Sequence, residues 1–246
     1  MFLSYLNNII IFIKGILSFV IFVITSFYMT IIGIIPISTK NIRIKTFYTN
    51  QLKWYAKILT NTHFNINVKI INDANEKFEK PAIIVCNHQS LFDVPLTMGL
   101  FSHIFIVSNN WHHNSPIRYI IEKFAVFLPV TNGIEWVAEK AKLKFIYNYC
   151  GLYFPENFRT KNAKILRYHK GAFLLASMLH TDIIPVVIYA SKEILEKNWY
   201  FFKHGVIKVY VGNRIKSVLN NNDEIKIQAK LVCDFSRKIY ENLQIH

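Results

Sequence analysis

The sequence predicts an α/β protein: a mixed, largely parallel sheet flanked by helices, preceded by an N-terminal membrane-inserted helical segment. Three observations carry this. Beyond residue 60, short apolar runs alternate with stretches of helical periodicity, the pattern of a sheet covered on both faces. Several runs, Ala82-Ile83-Ile84-Val85-Cys86 among them, are apolar at every position, as buried strands are. Upstream, residues 15–39 hold no charged side chain over 25 positions, against the roughly 20 that a helix needs to cross a bilayer. The expected division is therefore residues 1–60 as membrane-inserted and interfacial helices and residues 61–246 as the α/β domain.

Residues 9–37 are almost wholly apolar, with Lys14 the lone charge. Signal peptides have shorter apolar cores and a small-residue cleavage site. Lys40, Arg43, Lys45, Lys53 and Lys57 follow, and by the positive-inside rule they place the downstream chain on the cytoplasmic face of a membrane. Gly33 and Pro36 leave a second geometry open, a hairpin entering one leaflet. Residues 41–59 mix basic side chains with Phe47, Tyr48, Trp54 and Tyr55, which suits a helix at headgroup level; an ordinary solvated amphipathic helix fits the same residues.

Residues 64–70 alternate apolar and polar and read as a half-exposed strand. A polar loop over 72–80 leads to the buried strand 82–86, and a helix follows from Phe92 to about Leu100. A short strand covers 104–107, a polar loop 109–115, and Pro116 opens a helix to Phe124. Residues 126–130 are strand-like, 135–149 helical, and 151–154 a short buried strand that ends at Pro155. An apolar helix spans 171–180, and strands span 183–189 and 206–211. Asn220 to Asn222 form a loop able to cap a last helix, which stacks Leu231, Phe235, Ile239 and Leu243 at four-residue spacing.

Composition narrows the function. A net charge of +14 calls for anionic partners: a phospholipid surface, phosphorylated substrates or nucleic acid. The last fails, because no zinc-finger spacing, ribonucleoprotein-type aromatic motif or helix-turn-helix pattern is present. Cys86, Cys150 and Cys233 lie far apart and read as reduced core residues in a reducing compartment. His112-His113 has no third ligand at suggestive spacing, so no metal is expected.

Three constellations carry chemistry. His88 stands just beyond the buried strand 82–86, with Asp93 five positions on. A carboxylate there can accept the proton on the imidazole Nδ1 and leave Nε2 free as a base; the pair alone fits a merely hydrogen-bonded strand-end His equally well. Phe154-Pro155-Glu156-Asn157-Phe158-Arg159-Thr160 again follows a buried strand, and ligands of open α/β sheets bind beyond the carboxyl ends of strands. Arg159 suits a phosphate through its planar fork, and Glu156 could orient it or accept from a substrate hydroxyl; a surface salt bridge would look the same. Finally, residues 157–179 hold no acid but five bases, Arg159, Lys161, Lys164, Arg167 and Lys170, with Lys170 at the start of an apolar helix. A phosphorylated substrate, coenzyme A phosphates or an acidic carrier protein would suit this stretch, as would a solvated loop.

Taken in order, these stretches resemble the motifs of the glycerolipid acyltransferase family, which includes the 1-acylglycerol-3-phosphate acyltransferases. Asn87-His88-Gln89-Ser90-Leu91-Phe92-Asp93 is similar to its first motif, NHxxxxD. Residues 154–160 resemble its third, usually FPEGTR, and Lys170-Gly171-Ala172-Phe173 the KxGAF stretch that follows. Ile184-Pro185-Val186-Val187 resembles its fourth. The resemblance runs from about residue 64 to 211.

It implies that His88 is the general base on the free hydroxyl of a lysophospholipid, that Asp93 orients it, and that the acyl group comes from acyl-CoA or acyl-carrier protein. Glu156, Arg159 and Lys170 would bind substrate. No cofactor beyond the co-substrate, no metal and no covalent intermediate on cysteine is implied. Three departures stand out. Asn157-Phe158 replaces Gly-Thr, so the loop's backbone or the pocket's shape must differ. Pro129-Val130 is followed by Thr131-Asn132-Gly133 where the second motif carries an Arg. Val107 is followed by Ser108-Asn109-Asn110, without the basic residue often found there. The expected activity is acylation of 1-acylglycerol-3-phosphate to phosphatidate at a bilayer. Another lysophospholipid or lipid acceptor, or a weakly active lipid-binding relative, is the alternative.

Overall fold

The computed structural model describes residues 66–90, 92–101, 103–108, 127–158, 164–190, 205–219 and 221–245, with scattered positions between 6 and 58. The chain forms two compact units, one of Met1–Lys69, Ser90–Leu100 and Ala190–Ile207, the other of Ile70–Gln89, Phe101–Tyr189 and Lys208–His246. The expected loop 109–115 and helix 116–124 lie outside the described residues.

Among the described residues seven strands form one sheet: β1 (Ile66–Ile71), β2 (Ala82–Cys86), β3 (Ile104–Ser108), β4 (Phe127–Pro129), β5 (Cys150–Tyr153), β6 (Asp182–Tyr189) and β7 (Gly205–Val211). Their order is β1-β7-β6-β2-β5-β3-β4. β2 is parallel to both β5 and β6, and β3 to both β4 and β5, while β6 and β7 run antiparallel. The sheet is thus mixed and largely parallel, as expected. β2 and β5 are buried at every position, whereas β1 is half exposed, which is why the first reads as an apolar run and the last as an alternation.

The larger unit carries the core. Helices α2 (Ile134–Phe145), α3 (Gly171–Met178) and α4 (Asn222–Ile245) pack on the sheet strands and on one another; α1 (Asp93–Leu100) belongs to the smaller unit. Alternate sheet positions, Ile83 and Val85, Phe105 and Val107, Ile183 and Val187, share one cluster with Val137 and Ala141 of α2, Phe173 and Ala176 of α3, and Val232 of α4. The intervening Ile84, Cys86, Ile106 and Ile184 are buried as well, so both faces of the central strands are out of water. β5 passes through the tightest place: a Cβ on Gly151 would lie 2.8 Å from Phe105 Cζ and 2.9 Å from Ile83 Cδ1. A half-buried staple closes the loop before β2. Arg214 donates to both carboxylate oxygens of Glu76, at 2.7 and 3.0 Å, and to the carbonyls of Lys80 and Pro81. The guanidinium holds the Glu76 carboxyl below its usual range.

Two helices differ from expectation. α2 ends at Phe145, not Tyr149, because Asn148 turns left-handed with φ 57° and its N–H donates back to Phe145 O at 3.0 Å, an ending that Asn tolerates. α4 buries Ile225, Ala229, Val232, Ser236, Tyr240 and Leu243 rather than the row Leu231, Phe235, Ile239, Leu243. Leu231 is 64% exposed and Leu243 only 7%. A strict four-residue row drifts about 40° around the helix per step, so it starts on the solvent side and reaches the core only at its end. Asn221 caps this helix, its side-chain oxygen accepting from the N–H of Asp223 and Glu224 at 3.0 and 3.3 Å, as the loop's composition predicts.

No helix among the described residues is long and apolar enough to cross a membrane. The described positions of the N-terminal segment are helical and carry exposed apolar side chains, including Phe12, Ile24 and Phe27.

Candidate active site

Two loops leave the same edge of the sheet. Val85 of β2 lies opposite Tyr153 of β5 in a parallel pair, so the chain departs from both strands at the same level and in the same direction. The first loop carries His88 and the second Glu156. Sequence order kept them 68 residues apart; the parallel register brings them into one hydrogen bond, His88 N–H donating to Glu156 Oε1 at 2.8 Å.

The residues around His88 are pinned individually. Asn87, fully buried, donates from Nδ2 to Ile188 O at 2.9 Å and accepts from Ile188 N–H at 2.8 Å. Its amide thereby stands in for one more residue of the β2–β6 ladder, satisfying two buried backbone groups. Gln89 accepts from the hydroxyl of Tyr240 on α4 at 3.0 Å. His88 itself is half-buried, its ring stacked on Phe154 with centroids 4.3 Å apart and planes 28° from parallel. Backbone and ring plane are therefore both fixed, the preorganisation that a general base requires.

Glu156 is the hinge between the loops. It is 1% exposed, and its second oxygen accepts from Leu166 N–H at 2.7 Å. A carboxylate buried to this degree is tolerable only with such charge-assisted bonds. Both oxygens thus serve backbone amides, and Glu156 orders the site from beneath. Beside it His169 N–H donates to Pro155 O at 2.9 Å, so residues 165–170 lie along the second loop.

Asn157 explains how the departure from Gly is accommodated. Its φ is 63°, in the left-handed region that Gly enters freely and Asn enters more readily than most residues. The loop keeps a glycine-like backbone, and Phe158 is turned outward, 72% exposed. At the end of β4, where an Arg was missing from the sequence, Val130–Asn132 form a 3-10 turn. Arg159 lies outside the described residues.

Asp93 lies in the smaller unit and is fully buried at the start of α1. Its Oδ2 accepts from Ser90 N–H at 2.8 Å, and Ser90 Oγ accepts from Phe92 N–H at 3.2 Å. A carboxylate is favoured at a helix N-terminus.

Lys170 stands immediately before α3, its Nζ 3.4 Å from Asn222 Oδ1. It lines a cleft of about 720 Å³ together with Arg167 and, from α4, Lys226, Lys230 and Arg237. The exposed Asp223 carboxyl is held below its usual range by its hydrogen bond from Lys226, with Lys170 adding to the effect. The α4 cations were not singled out in the sequence, since nothing in spacing joins residue 167 to residue 230.

The thiols are quiet. Burial pushes Cys150 up to about 11 and raises Cys233 as well, so neither is a thiolate at neutral pH. Among the described residues no three His, Cys, Asp or Glu side chains stand together to hold a metal.

The profile of the Acyltransferase family matches residues 65–189, a span that includes His88, Asp93, Glu156, Arg159 and Lys170. The 1-acyl-sn-glycerol-3-phosphate acyltransferase beta of Homo sapiens is 26% identical over 138 residues, 54% of this chain and 50% of that protein. The 1-acyl-sn-glycerol-3-phosphate acyltransferase of Saccharomyces cerevisiae is 23% identical over 184 residues, 69% of this chain and 58% of that protein. The chain thus spans little more than half the length of these two curated relatives. The crystal structure of the 1-acyl-sn-glycerophosphate acyltransferase PlsC from Thermotoga maritima superposes with a TM-score of 0.75, covering 96% of this chain and 98% of that one at 18% identity, a likeness of fold.

Proposed function

The chain belongs to the Acyltransferase family, and on that premise we propose that it moves an acyl group from a thioester donor, acyl-CoA or acyl-carrier protein, to the free hydroxyl of a lysophospholipid. The acceptor we propose is 1-acylglycerol-3-phosphate, the substrate class named for the human and yeast relatives, and the product phosphatidate. The observation that carries the reading is the hydrogen bond from His88 N–H to Glu156, which joins the first and third motif loops at the carboxyl edge of the sheet.

His88 Nε2 takes the proton of the acceptor hydroxyl as the oxygen attacks the thioester carbonyl. The tetrahedral adduct collapses, the C–S bond breaks, and the departing sulfur receives that proton from His88. Asp93 stabilises the imidazolium, a role resting on its position five residues after His88. Glu156 holds the His88 loop in place, and Arg159 and Lys170 meet phosphate groups. The chemistry needs no cofactor or metal, and no cysteine attacks the acyl group.

The protein works at a bilayer in this reading, with the catalytic residues on the cytoplasmic face. Its support is the uncharged stretch 15–39, the exposed Phe12, Ile24 and Phe27, and the Lys and Arg residues that follow. Whether the segment spans or enters one leaflet, it supplies the anchor.

The test supplies membranes carrying the protein with labelled acyl-CoA or acyl-carrier protein and a panel of lysophospholipids. Transfer by wild type that disappears in His88→Ala supports the reading. Well-folded wild type that transfers to no acceptor overturns it in favour of a lipid-binding protein. Arg159→Ala should raise the KM for a phosphate-bearing acceptor; an unchanged KM removes Arg159 from the phosphate site. The absence of Arg from the 3-10 turn after β4 favours a second reading, a lysophospholipid other than 1-acylglycerol-3-phosphate, which the same panel decides.

A further inference from the structure

The cleft beside Lys170 holds more positive charge than its surroundings neutralise. Lys226, Lys230 and Arg237 recur at intervals of four and seven residues along α4, which sets them on one helix face. That face looks onto Arg167 and Lys170, and the five cations line a single cleft with one carboxylate, Asp234. Asp234 pairs with Arg237 at 3.3 Å, and Lys226 pairs with Asp223 at 2.8 Å. Arg167 and Lys230 have no acidic partner among the described residues. Like charges gathered around a cavity repel one another in the folded state. Such an arrangement is stable enough to keep, and useful, when a multiply charged anion enters it. The volume is that of a site for a small organic ligand, larger than a single inorganic phosphate requires. Two of the five cations are Arg, whose forks match phosphate oxygens.

The position is as informative as the charge. The cleft is walled on one side by residues 167–170. This segment and the residue before it are tied to the second loop, Leu166 N–H donating to Glu156 and His169 N–H to Pro155 O, and Glu156 in turn accepts from His88 N–H. A ligand held here lies against the segment that packs on the Glu156 loop, one hydrogen bond removed from His88. We propose that this cleft binds the phosphorylated nucleotide of the acyl donor, the multiply phosphorylated handle of a coenzyme A thioester. This rests on the acyl-transfer reading for the donor's identity, but not for the binding itself. It separates two anions by element: the donor's phosphates go to the α4 cleft, and the acceptor's phosphate to the loop of Arg159.

The experiment measures coenzyme A without its acyl chain binding to the full-length protein, in wild type and in Arg167→Glu/Lys230→Glu, by calorimetry across a range of salt. Wild type should bind, more weakly as ionic strength rises, and the double variant should bind at least about tenfold more weakly, the scale of one lost charge-assisted contact and a floor for two. Circular dichroism and the melting temperature establish that the variant is folded, and Arg167→Gln/Lys230→Gln repeats the measurement with smaller disturbance. In the transfer assay, the variant's loss with acyl-CoA should exceed its loss with acyl-N-acetylcysteamine, a thioester without phosphate, by at least about tenfold.

Four outcomes overturn the proposal: coenzyme A bound equally by wild type and both variants; inorganic phosphate bound as tightly as coenzyme A at this cleft; a rise confined to the acceptor's KM; or acyl-carrier protein binding lost in the variants while coenzyme A binding is kept. Failure of the function reading is a separate result, in which wild type binds coenzyme A through the cleft but transfers nothing from either thioester.

Discussion

Replacing Glu156 by Gln tests the central joint of the site with the smallest possible change in shape. In the wild type both carboxylate oxygens accept from backbone amides, His88 N–H at 2.8 Å and Leu166 N–H at 2.7 Å, in a side chain 1% exposed. Gln retains one acceptor oxygen. Its other terminus becomes an NH2 that faces an N–H, so one bond is lost and two donors are left opposed. A hydrogen bond to a charged group contributes about 1.5–3 kcal/mol, and a buried donor left unsatisfied costs about 1–3 kcal/mol. The two overlap, since part of each is the same desolvation, and a loss of about 2–4 kcal/mol in unfolding free energy is expected. If the orphaned amide is that of His88, its loop shifts and the rate falls, at about tenfold for each 1.4 kcal/mol lost from the transition state. Urea denaturation measures the first quantity and acyl transfer to lysophosphatidate the second. A Gln variant within about 0.5 kcal/mol of wild type, the range of an ordinary surface change, and with undiminished transfer, would show that Glu156 holds nothing together.

Three further outcomes follow from the geometry. Asn87→Ala leaves the N–H and C=O of Ile188 buried without their partners and should cost about 2–5 kcal/mol, with faster hydrogen exchange at the Ile188 amide; unchanged protection there would refute the clamp. Arg214→Met should destabilise by about 2 kcal/mol at neutral pH, below the range for a fully buried pair because this one is partly exposed. Since Glu76 has its pKa lowered in the folded state, its contribution is present above the ordinary Glu range, about 4.3, and disappears as pH falls through the depressed value; the gap between wild type and variant should narrow on acidification, and a constant gap refutes the pairing. Cys150 and Cys233, buried and raised above the ordinary thiol range, should resist iodoacetamide in the folded protein at about pH 7 and react after denaturation, as mass spectrometry would show; rapid labelling of the folded protein would contradict it.

The parts of the fold legible in the sequence are those written in a period. The unbroken run 82–86 and the alternation over 64–70 correspond to strands of the expected burial, β2 and β1 (Ile66–Ile71), because a strand's two faces are encoded in adjacent residues. What escaped was decided by single residues or by distant ones. Asn148 stops α2 early by turning left-handed, and Asn157 lets a loop keep a glycine-like path; both look like ordinary polar residues in a string. On α4 the four-residue row from Leu231 to Leu243 winds around the helix, so the buried face runs instead through Ile225, Ala229, Val232, Ser236 and Tyr240. His88 and Glu156 were each visible beyond a buried strand, but that Glu156 would grip the His88 backbone depends on β2 and β5 being parallel neighbours in register. The cations of α4 joined those of residues 167–170 only after the chain had folded. Arg159, prominent in the sequence, lies outside the described residues, and its role rests on the sequence alone.

The pinning of three successive residues also carries a consequence for synthesis. Asn87 waits for a partner 101 residues later, His88 for one 68 residues later, and Gln89 for one 151 residues later. None of these contacts is local, and each requires a long loop to close before it rewards the chain. The segment 87–89 is therefore fastened by partners made later in the chain. Of the three, only the Gln89 contact waits for α4. Loss of α4, by a premature stop or a protease, would remove the Tyr240 hydroxyl that Gln89 accepts from and the α4 cations of the cleft together, while leaving His88 and Glu156 in the chain.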